Sequence, residues 1–307
     1  MRFLKRIVIQ VVPTMLILTF VVFALVYLAG DPVSLMLPEN ATQEDRAILE
    51  KELGLDQHFL IQYVQYMGDL ARGDFGTSYQ YHQEALPLVV ERLTATLSLA
   101  GMALGVGILM SLPLGVIAAL KRNTFVDYFI SGLSVIGKAM PNFWIGIMLI
   151  LFFAVTLGVL PVSGAESPAH FVLPAFTLGV ALSAELTRLV RASVLEVIDQ
   201  EFVQTARSKG QKEWIVILRH VFMNSLIPVV TMIGLQFPQL IGGTIIVETV
   251  FSWPGIGRLL LQSIEAKDMA VIQAIVFVIA IITILVNLLT DVIYRLLDPR
   301  ISYESKS

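Results

Sequence analysis

The 307-residue chain contains no cysteine, which excludes disulfides, thiolate metal sites and cysteine nucleophiles together. It is also poor in charge. Asp, Glu, Lys and Arg make up 15% of residues against 56% apolar ones, with a mean hydropathy of +0.78, whereas soluble domains carry roughly a quarter charged residues. That scarcity argues against a water-soluble fold and places the chain in a bilayer, and the same hydrophobicity excludes intrinsic disorder. A basic excess is missing as well: the formal net charge is −3, so no nucleic-acid partner is expected. The four histidines, at 58, 82, 170 and 220, have no metal-ligand spacing, and neither a metal nor another cofactor held by this chain is expected.

What is present is long uncharged sequence. A helix needs about 20 apolar residues to cross a hydrocarbon core about 30 Å thick. Ile7 to Gly30, Leu93 to Leu120, Ala139 to Ala165 with a lead-in from Tyr128 to Gly137, Ser167 to Ala184, His220 to Val247 and Met269 to Thr290 are free of Asp, Glu, Lys and Arg. These runs predict an all-α integral membrane protein with six transmembrane helices. Pro13, Pro113, Pro141, Pro174 and Pro228 lie in or beside five of them and predict kinked packing. Arg2, Lys5 and Arg6 resemble the basic end of a signal peptide, but the 24 uncharged residues that follow are too many for one, and the run reads as a retained helix. Gly101, Gly105 and Gly107 in the second run point to close helix packing.

Orientation follows from Lys and Arg. With the N-terminus in the cytoplasm, three basic residues lie on the N-terminal tail, two at Lys121 and Arg122, six from Arg188 to Arg219 and three on the C-terminal tail, fourteen in all. The other side receives four between Asp31 and Arg92 and two between Glu248 and Asp268. Both termini are therefore expected inside. The division that results is a tail and first helix over 1–30, an outer helical domain over 31–92, a transmembrane core over 93–292 with a cytoplasmic connection at about 188–224, and a C-terminal tail over 293–307. Thr42 followed by Glu44 and Asp45 predicts a capped helix start in the outer segment, ahead of an apolar pattern at Ala47, Ile48, Leu53 and Leu55.

Two enzymatic signals fail on their details. Gly132, Gly137 and Lys138 have the spacing of a phosphate-binding loop, but Ala139 stands where the magnesium-holding Ser or Thr belongs, and the stretch lies in an apolar run without a preceding strand. Pro161-Val162-Ser163-Gly164 lacks both the glycine two before the serine and a histidine partner.

The informative connection lies between Arg188 and Asn224. Phe202, Val203 and Ala206 are placed to share one face of a short helix that Gly210 ends in a left-handed cap. The helix is either a surface element resting on lipid headgroups or a protein-docking knob, in which small Ala206 would permit close approach of a partner. Two ionisable residues sit within the apolar runs, Lys138 and Glu185. Each has two open readings: a snorkelling Lys138 and a local Glu185 pair with Arg188, or functional groups that face a polar cavity or a partner.

Thr205-Ala206-Arg207-Ser208-Lys209-Gly210, then Arg219-His220 and Asn224-Ser225-Leu226-Ile227-Pro228, resemble the ATPase-engaging loop of permease subunits from ATP-binding-cassette importers, in the dipeptide, oligopeptide, glutathione and nickel branch. Gly30-Asp31-Pro32, Leu53-Gly54-Leu55-Asp56, Gly73-Asp74-Phe75-Gly76-Thr77-Ser78 and Glu248-Thr249-Val250-Phe251-Ser252-Trp253-Pro254-Gly255-Ile256-Gly257-Arg258 extend the resemblance in family order along nearly the whole chain. The resemblance implies a type I importer permease fold in a bacterial or archaeal cytoplasmic membrane. It also implies a non-enzymatic chain forming half of a pathway for short peptides, glutathione or metal complexes. Its partners would be a second homologous permease, an extracytoplasmic solute-binding protein and two ATPase subunits that hold ATP and Mg. Glu201, Phe202, Gln204, Thr205, Ala206, Arg207, Lys209 and Gly210 would form the ATPase-coupling element, and Lys138 and Glu185 are candidates for the pathway. This sequence departs from the branch at Gln204, where a basic residue is common, at Met269-Ala270, where Tyr-Pro is common, and at Lys138 and Glu185, where uncharged residues are expected. An ATP-independent secondary transporter or channel is the alternative class.

Overall fold

The computed structural model describes residues 2–29, 33, 37, 42–52, 54 and 56–297, with the side chains of 2–10, 26, 29, 49, 52 and 291–297 set aside. Gly30-Asp31-Pro32, Leu53, Leu55 and the tail beyond 297 lie outside the described residues. The described chain is helical, with no strand beyond an isolated bridge between Thr77 and Glu84. The helices are α1 (Arg2–Ala29), α2 (Gln43–Glu52), α3 (Phe59–Arg72), α4 (Ala85–Leu120), α5 (Phe125–Ala139), α6 (Asn142–Leu149), α7 (Val172–Ile198), α8 (Glu201–Ser208), α9 (Glu213–Ile215), α10 (Met223–Val250), α11 (Ile256–Glu265) and α12 (Met269–Leu297). Wide π turns at Ile150–Thr156 and Val216–Phe222 continue α6 and lead into α10.

Four helical stretches are long and apolar enough to cross a membrane: Ala85–Leu120, Pro168–Ile198, Glu213–Val250 and Met269–Thr290. Val11–Leu25 is a shorter apolar stretch. The third expected run is not one rod. It divides into Phe125–Ala139 and Asn142–Thr156, bent by 104° at the break. Pro141 causes this: it supplies no N–H, and its ring drives the preceding residue out of the helical region. Met140 is accordingly extended at φ −79°, ψ 133°.

Among the described residues, those up to 94 with 258–284 form one compact unit, and 95–257 with 285–297 another. In the first, α1 and α3 meet through aromatic rings. Phe20, Phe23 and Tyr27 face Phe59, Tyr63 and Tyr66, with centroids 5.9 Å apart for Phe20 and Phe59 and 5.0 Å for Tyr27 and Phe59. Burial, with the neighbouring Tyr63, pushes the Tyr66 phenol up to about 12. The predicted start of α2 is present: the Thr42 backbone N–H donates to Asp45 Oδ2 at 2.9 Å, and the Asp45 N–H donates back to Thr42 Oγ1 at 3.2 Å. This reciprocal cap satisfies two N-terminal donors and holds the Asp45 carboxyl below its usual range. Ser78 donates to buried Asp268, and Tyr81 Oη donates to Gln262 at 3.3 Å, tying the 77–84 turn to the α11–α12 corner.

The second unit is organised on α7, which packs against α5, α6 and α10. Leu178, Leu182, Leu186, Val190 and Val194 lie buried along it, at the three-to-four-residue spacing of one helical stripe. Glycine permits the closest approaches. A Cβ at Gly115 would stand 2.5 Å from Val190 Cβ, one at Gly107 2.7 Å from Leu182, and one at Gly179 2.7 Å from Val106. The expectation for the second run is corrected in part: Gly107 makes such a contact, while Gly101 and Gly105 meet nothing within 4 Å. Close packing of this kind is what associates helices where lipid removes the hydrophobic drive.

Gly115→Leu should therefore cost about 1–3 kcal/mol through overpacking and lower the thermal unfolding midpoint in detergent. Gly101→Ala should leave the midpoint unchanged or raise it, because alanine favours the helix. Equal midpoints for the two variants would contradict the assigned interface.

Candidate functional site

Helix α8 occupies Glu201–Ser208, the expected place and length. It begins after Gln200, whose backbone is extended, and ends at Lys209. Gly210 follows with φ +72° and donates its N–H to Arg207 O at 2.9 Å, so the left-handed cap is present. No atom lies within 4 Å of where a Gly210 Cβ would stand, and the glycine is required for backbone conformation alone.

One expectation is corrected here. Val203 and Ala206 are buried in the chain's own core with Val216 and Val221, and α8 packs on the π turn that carries them. Ala206 cannot be the surface that a partner approaches; its small side chain lets α8 sit close to this chain. Phe202 departs from the shared apolar face and is 45% exposed. The outward face comprises Glu201, Phe202, Gln204, Thr205, Arg207, Ser208 and Lys209.

The helix is also clamped from its far end. Arg207 Nη2 donates to Glu213 Oε1 at 2.7 Å and its Nε to both carboxylate oxygens at 3.2 Å. His220 Nε2 and Gln211 Oε1 lie 2.9 Å apart across the same turn. A forked guanidinium bond fixes direction as well as distance. Arg207 thus holds α8 to the start of the Glu213–Val250 span rather than projecting freely.

Two ion pairs link α5 and α7. Arg191 grips Asp127 with both arms, Nε to Oδ1 at 2.6 Å and Nη2 to Oδ2 at 2.7 Å. Asp127 is 2% exposed and also accepts from the Asn123 backbone N–H. Further along, Lys138 Nζ donates to Glu185 Oε2 at 2.7 Å, with the side chains 51% and 27% exposed. Glu185 takes Lys138 rather than Arg188 as its hydrogen-bonded ion-pair partner. The helices meet in ordinary contact beside the pair, where a Cβ at Gly137 would lie 3.5 Å from Val180 and 3.6 Å from Ala184, and neighbouring Lys138 reaches across. Gly132 and Gly137 lie inside α5, where no phosphate cradle exists.

The family model for the binding-protein-dependent transport system inner membrane component matches residues 111–303, and that for the N-terminal part of the binding-protein-dependent transport system membrane component matches residues 1–100. The chain belongs to this family. The glutathione transport system permease protein GsiC of Salmonella paratyphi A is 40% identical over 98% of each chain, and that of Escherichia coli K12 is 40% identical over 95% of this permease and 96% of its own length. The fold is shared with the MetNI methionine ABC transporter in its inward-facing form, with a TM-score of 0.60 at 19% identity, covering 69% of this permease and 96% of that chain. An amino acid ABC transporter, in a crystal structure with histidines, matches at a TM-score of 0.52 and 19% identity, over 68% of this permease and 94% of that chain.

In this permease the stretch from Glu248 to Gly257 builds a corner rather than a reactive site. Glu248 is fully buried and accepts from Thr96 Oγ1 at 2.7 Å, while Thr96 Oγ1 accepts from the Ile256 N–H at 2.9 Å. The Trp253 indole donates to Ala95 O at 2.9 Å and stands edge-on to Phe171, 4.4 Å between centroids. Gly255 and Gly257 are obligatory, because a Cβ at the first would stand 2.3 Å from the Glu248 carboxylate and at the second 2.6 Å from the Ile245 backbone.

Sequence reasoning missed the Asp127–Arg191 clamp. The partners are 64 residues apart, beyond any helical pairing rule. The only signal was a carboxylate at the start of an apolar run. Asp127→Asn should lower stability on the order of 2 kcal/mol by leaving the guanidinium half-satisfied. Asp127→Asn with Arg191→Gln should recover part of that loss, as thermal unfolding in detergent would report. Additive losses would show that the two residues act independently.

Proposed function

We propose that this permease forms one half of the translocation pathway of an ATP-driven importer for glutathione or short peptides. The observation that carries the reading is α8: a rigid, capped helix between two apolar spans, with an outward face not committed to its own chain's core. A helix fixed in that way can transmit the closing of two ATPase subunits to the spans on either side. The solute class rests on the 40% identity to glutathione permeases over nearly the full length of both chains.

In this reading the chain crosses the bacterial cytoplasmic membrane six times, with α1 and the broken α5–α6 segment each counted once. Both termini and α8 are cytoplasmic, and residues 31–92 face outward. A second homologous permease completes the pathway, a solute-binding protein delivers the cargo from outside, and two ATPases supply ATP and Mg chemistry from within. The excess of Lys and Arg on the assigned inner side supports this orientation.

Absence of native cysteine makes the topology directly testable. A cysteine at Gln83 should react with an impermeant thiol reagent in intact cells, and one at Lys212 only after permeabilisation. Labelling of position 212 in sealed cells would reverse the topology.

The coupling role separates from folding by choice of residue. Phe202→Asp should leave the unfolding midpoint near wild type but abolish ATPase co-purification and ATP-driven glutathione uptake in proteoliposomes. Ala206→Asp should lower the midpoint itself, since it buries an unpaired charge at a cost of several kcal/mol. Wild-type co-purification and uptake by the Phe202→Asp protein would reduce α8 to a surface element.

A further inference from the structure

The two ion pairs between α5 and α7 differ in a way that separates a structural tie from a working site. The Asp127–Arg191 pair is sealed and forked, with its carboxylate 2% exposed. Lys138 and Glu185 share a single hydrogen bond and remain open, the ammonium side chain being half exposed. Counted from the Asp127–Arg191 tie, Lys138 lies eleven residues on along α5 and Glu185 six residues back along α7, about 9–16 Å farther from the cytoplasmic ends of the two helices. In a hydrocarbon core about 30 Å thick, that lies in its inner half.

An open ion pair at that depth cannot face lipid, because charge in hydrocarbon is costly; such groups face a water-filled cavity or the interior of a bundle. A second observation points the same way. Helix α5 ends one residue past Lys138, and the chain runs extended through Met140 and Pro141 before α6 begins. Non-helical backbone at membrane depth is tolerated only where protein buries it or where it lines a cavity, and Ala139 and Pro141 are exposed. Broken helices near the midplane are also where transporters of several folds place their solute sites. On Lys138 one of three ammonium protons is committed to Glu185, leaving donors for a second acceptor.

We infer that Lys138 and Glu185 form a charge-reading subsite in the translocation pathway for a solute bearing both signs of charge. The pair opens to receive a carboxylate on the Lys138 ammonium and an ammonium group on the Glu185 carboxylate, then closes behind the departing solute. A peptide zwitterion satisfies both charges at once, so breaking the pair leaves neither group unpaired. The inference rests on the permease reading above and extends it to specificity within the branch, since these two charges are departures of this sequence.

The test uses the assembled transporter with its binding protein in ATP-containing proteoliposomes, supplied from outside with Ala-Ala, N-acetyl-Ala-Ala, which lacks the ammonium, or Ala-Ala amide, which lacks the carboxylate. Initial uptake by Lys138→Gln, Glu185→Gln and the charge-swapped Lys138→Glu/Glu185→Lys protein is compared with wild type for each solute. Lys138→Gln should lower uptake of Ala-Ala and N-acetyl-Ala-Ala relative to Ala-Ala amide by roughly tenfold, the scale of one lost charge-assisted hydrogen bond. Glu185→Gln should lower uptake of Ala-Ala and Ala-Ala amide relative to N-acetyl-Ala-Ala. The swapped protein should assemble normally without recovering the wild-type ratios among the three solutes. Equal losses for all solutes, unchanged rates, or full recovery of every rate in the swapped protein would each make the pair a structural tie and overturn the inference. Loss of complex assembly in the single variants with a uniform fall in uptake would do the same. If wild-type uptake proceeds without ATP while the variants still shift selectivity as described, the subsite stands and the ATP-driven reading falls. If wild type imports none of the three solutes, both the solute class and the subsite fall.

Discussion

A hydrocarbon solvent offers no hydrogen bond and no counter-charge, so each backbone amide and each ionised group at membrane depth must find its partner within protein or enclosed water. This permease meets that constraint mainly through helix α7. Its apolar stripe forms the core of the second compact unit, and its two charged positions on the α5 side each meet an opposite charge on α5. The glycines at 107, 115 and 179 let α4 press closely against another side of α7. Packing and electrostatics thus divide the helix between them: α4 is held by close contact and α5 by paired charge.

Much of this was legible in the sequence. Uninterrupted apolar runs located the cores of the four long spans, because the cost of a charge in hydrocarbon is paid locally, although α7 continues to Ile198, well past the charge at Glu185 that ended its run. The ends of α8 were legible for the same reason: Gly210 supplies a left-handed backbone that other residues resist. The reciprocal cap of Thr42 and Asp45 required only four neighbouring residues. What escaped was set by contacts between distant segments. Spacing along one helix favoured Glu185 with Arg188, whereas the hydrogen-bonded pair forms across to α5. It also assigned Ala206 outward, because periodicity shows that residues share a face without showing what covers that face. Pro141 announced a kink, but the bend of 104° depends on where the second segment packs.

The Glu248–Gly257 corner shows how a motif can be demanding in sequence without carrying chemistry. A carboxylate buried beside a hydroxyl, with glycines pressed against it, admits few substitutions because any added carbon collides with a charged group or a backbone. The same stretch anchors a tryptophan whose indole closes on a backbone carbonyl of α4. Such a corner fixes the direction in which the chain leaves the α10 span.

The wide turn at Val216–Phe222 lies between the clamped α8–α9 hairpin and the start of α10. A π turn accommodates an extra residue relative to an α-helix, and each such residue rotates everything beyond it by about 100° around the axis. The side chains of α10 consequently enter the bilayer out of phase with those of the hairpin. The turn acts as a gear offset: the face of the span that looks toward its neighbours is chosen independently of the face on which α8 is seated. The outward surface of α8 can therefore vary while the inward face of the span keeps its bearing.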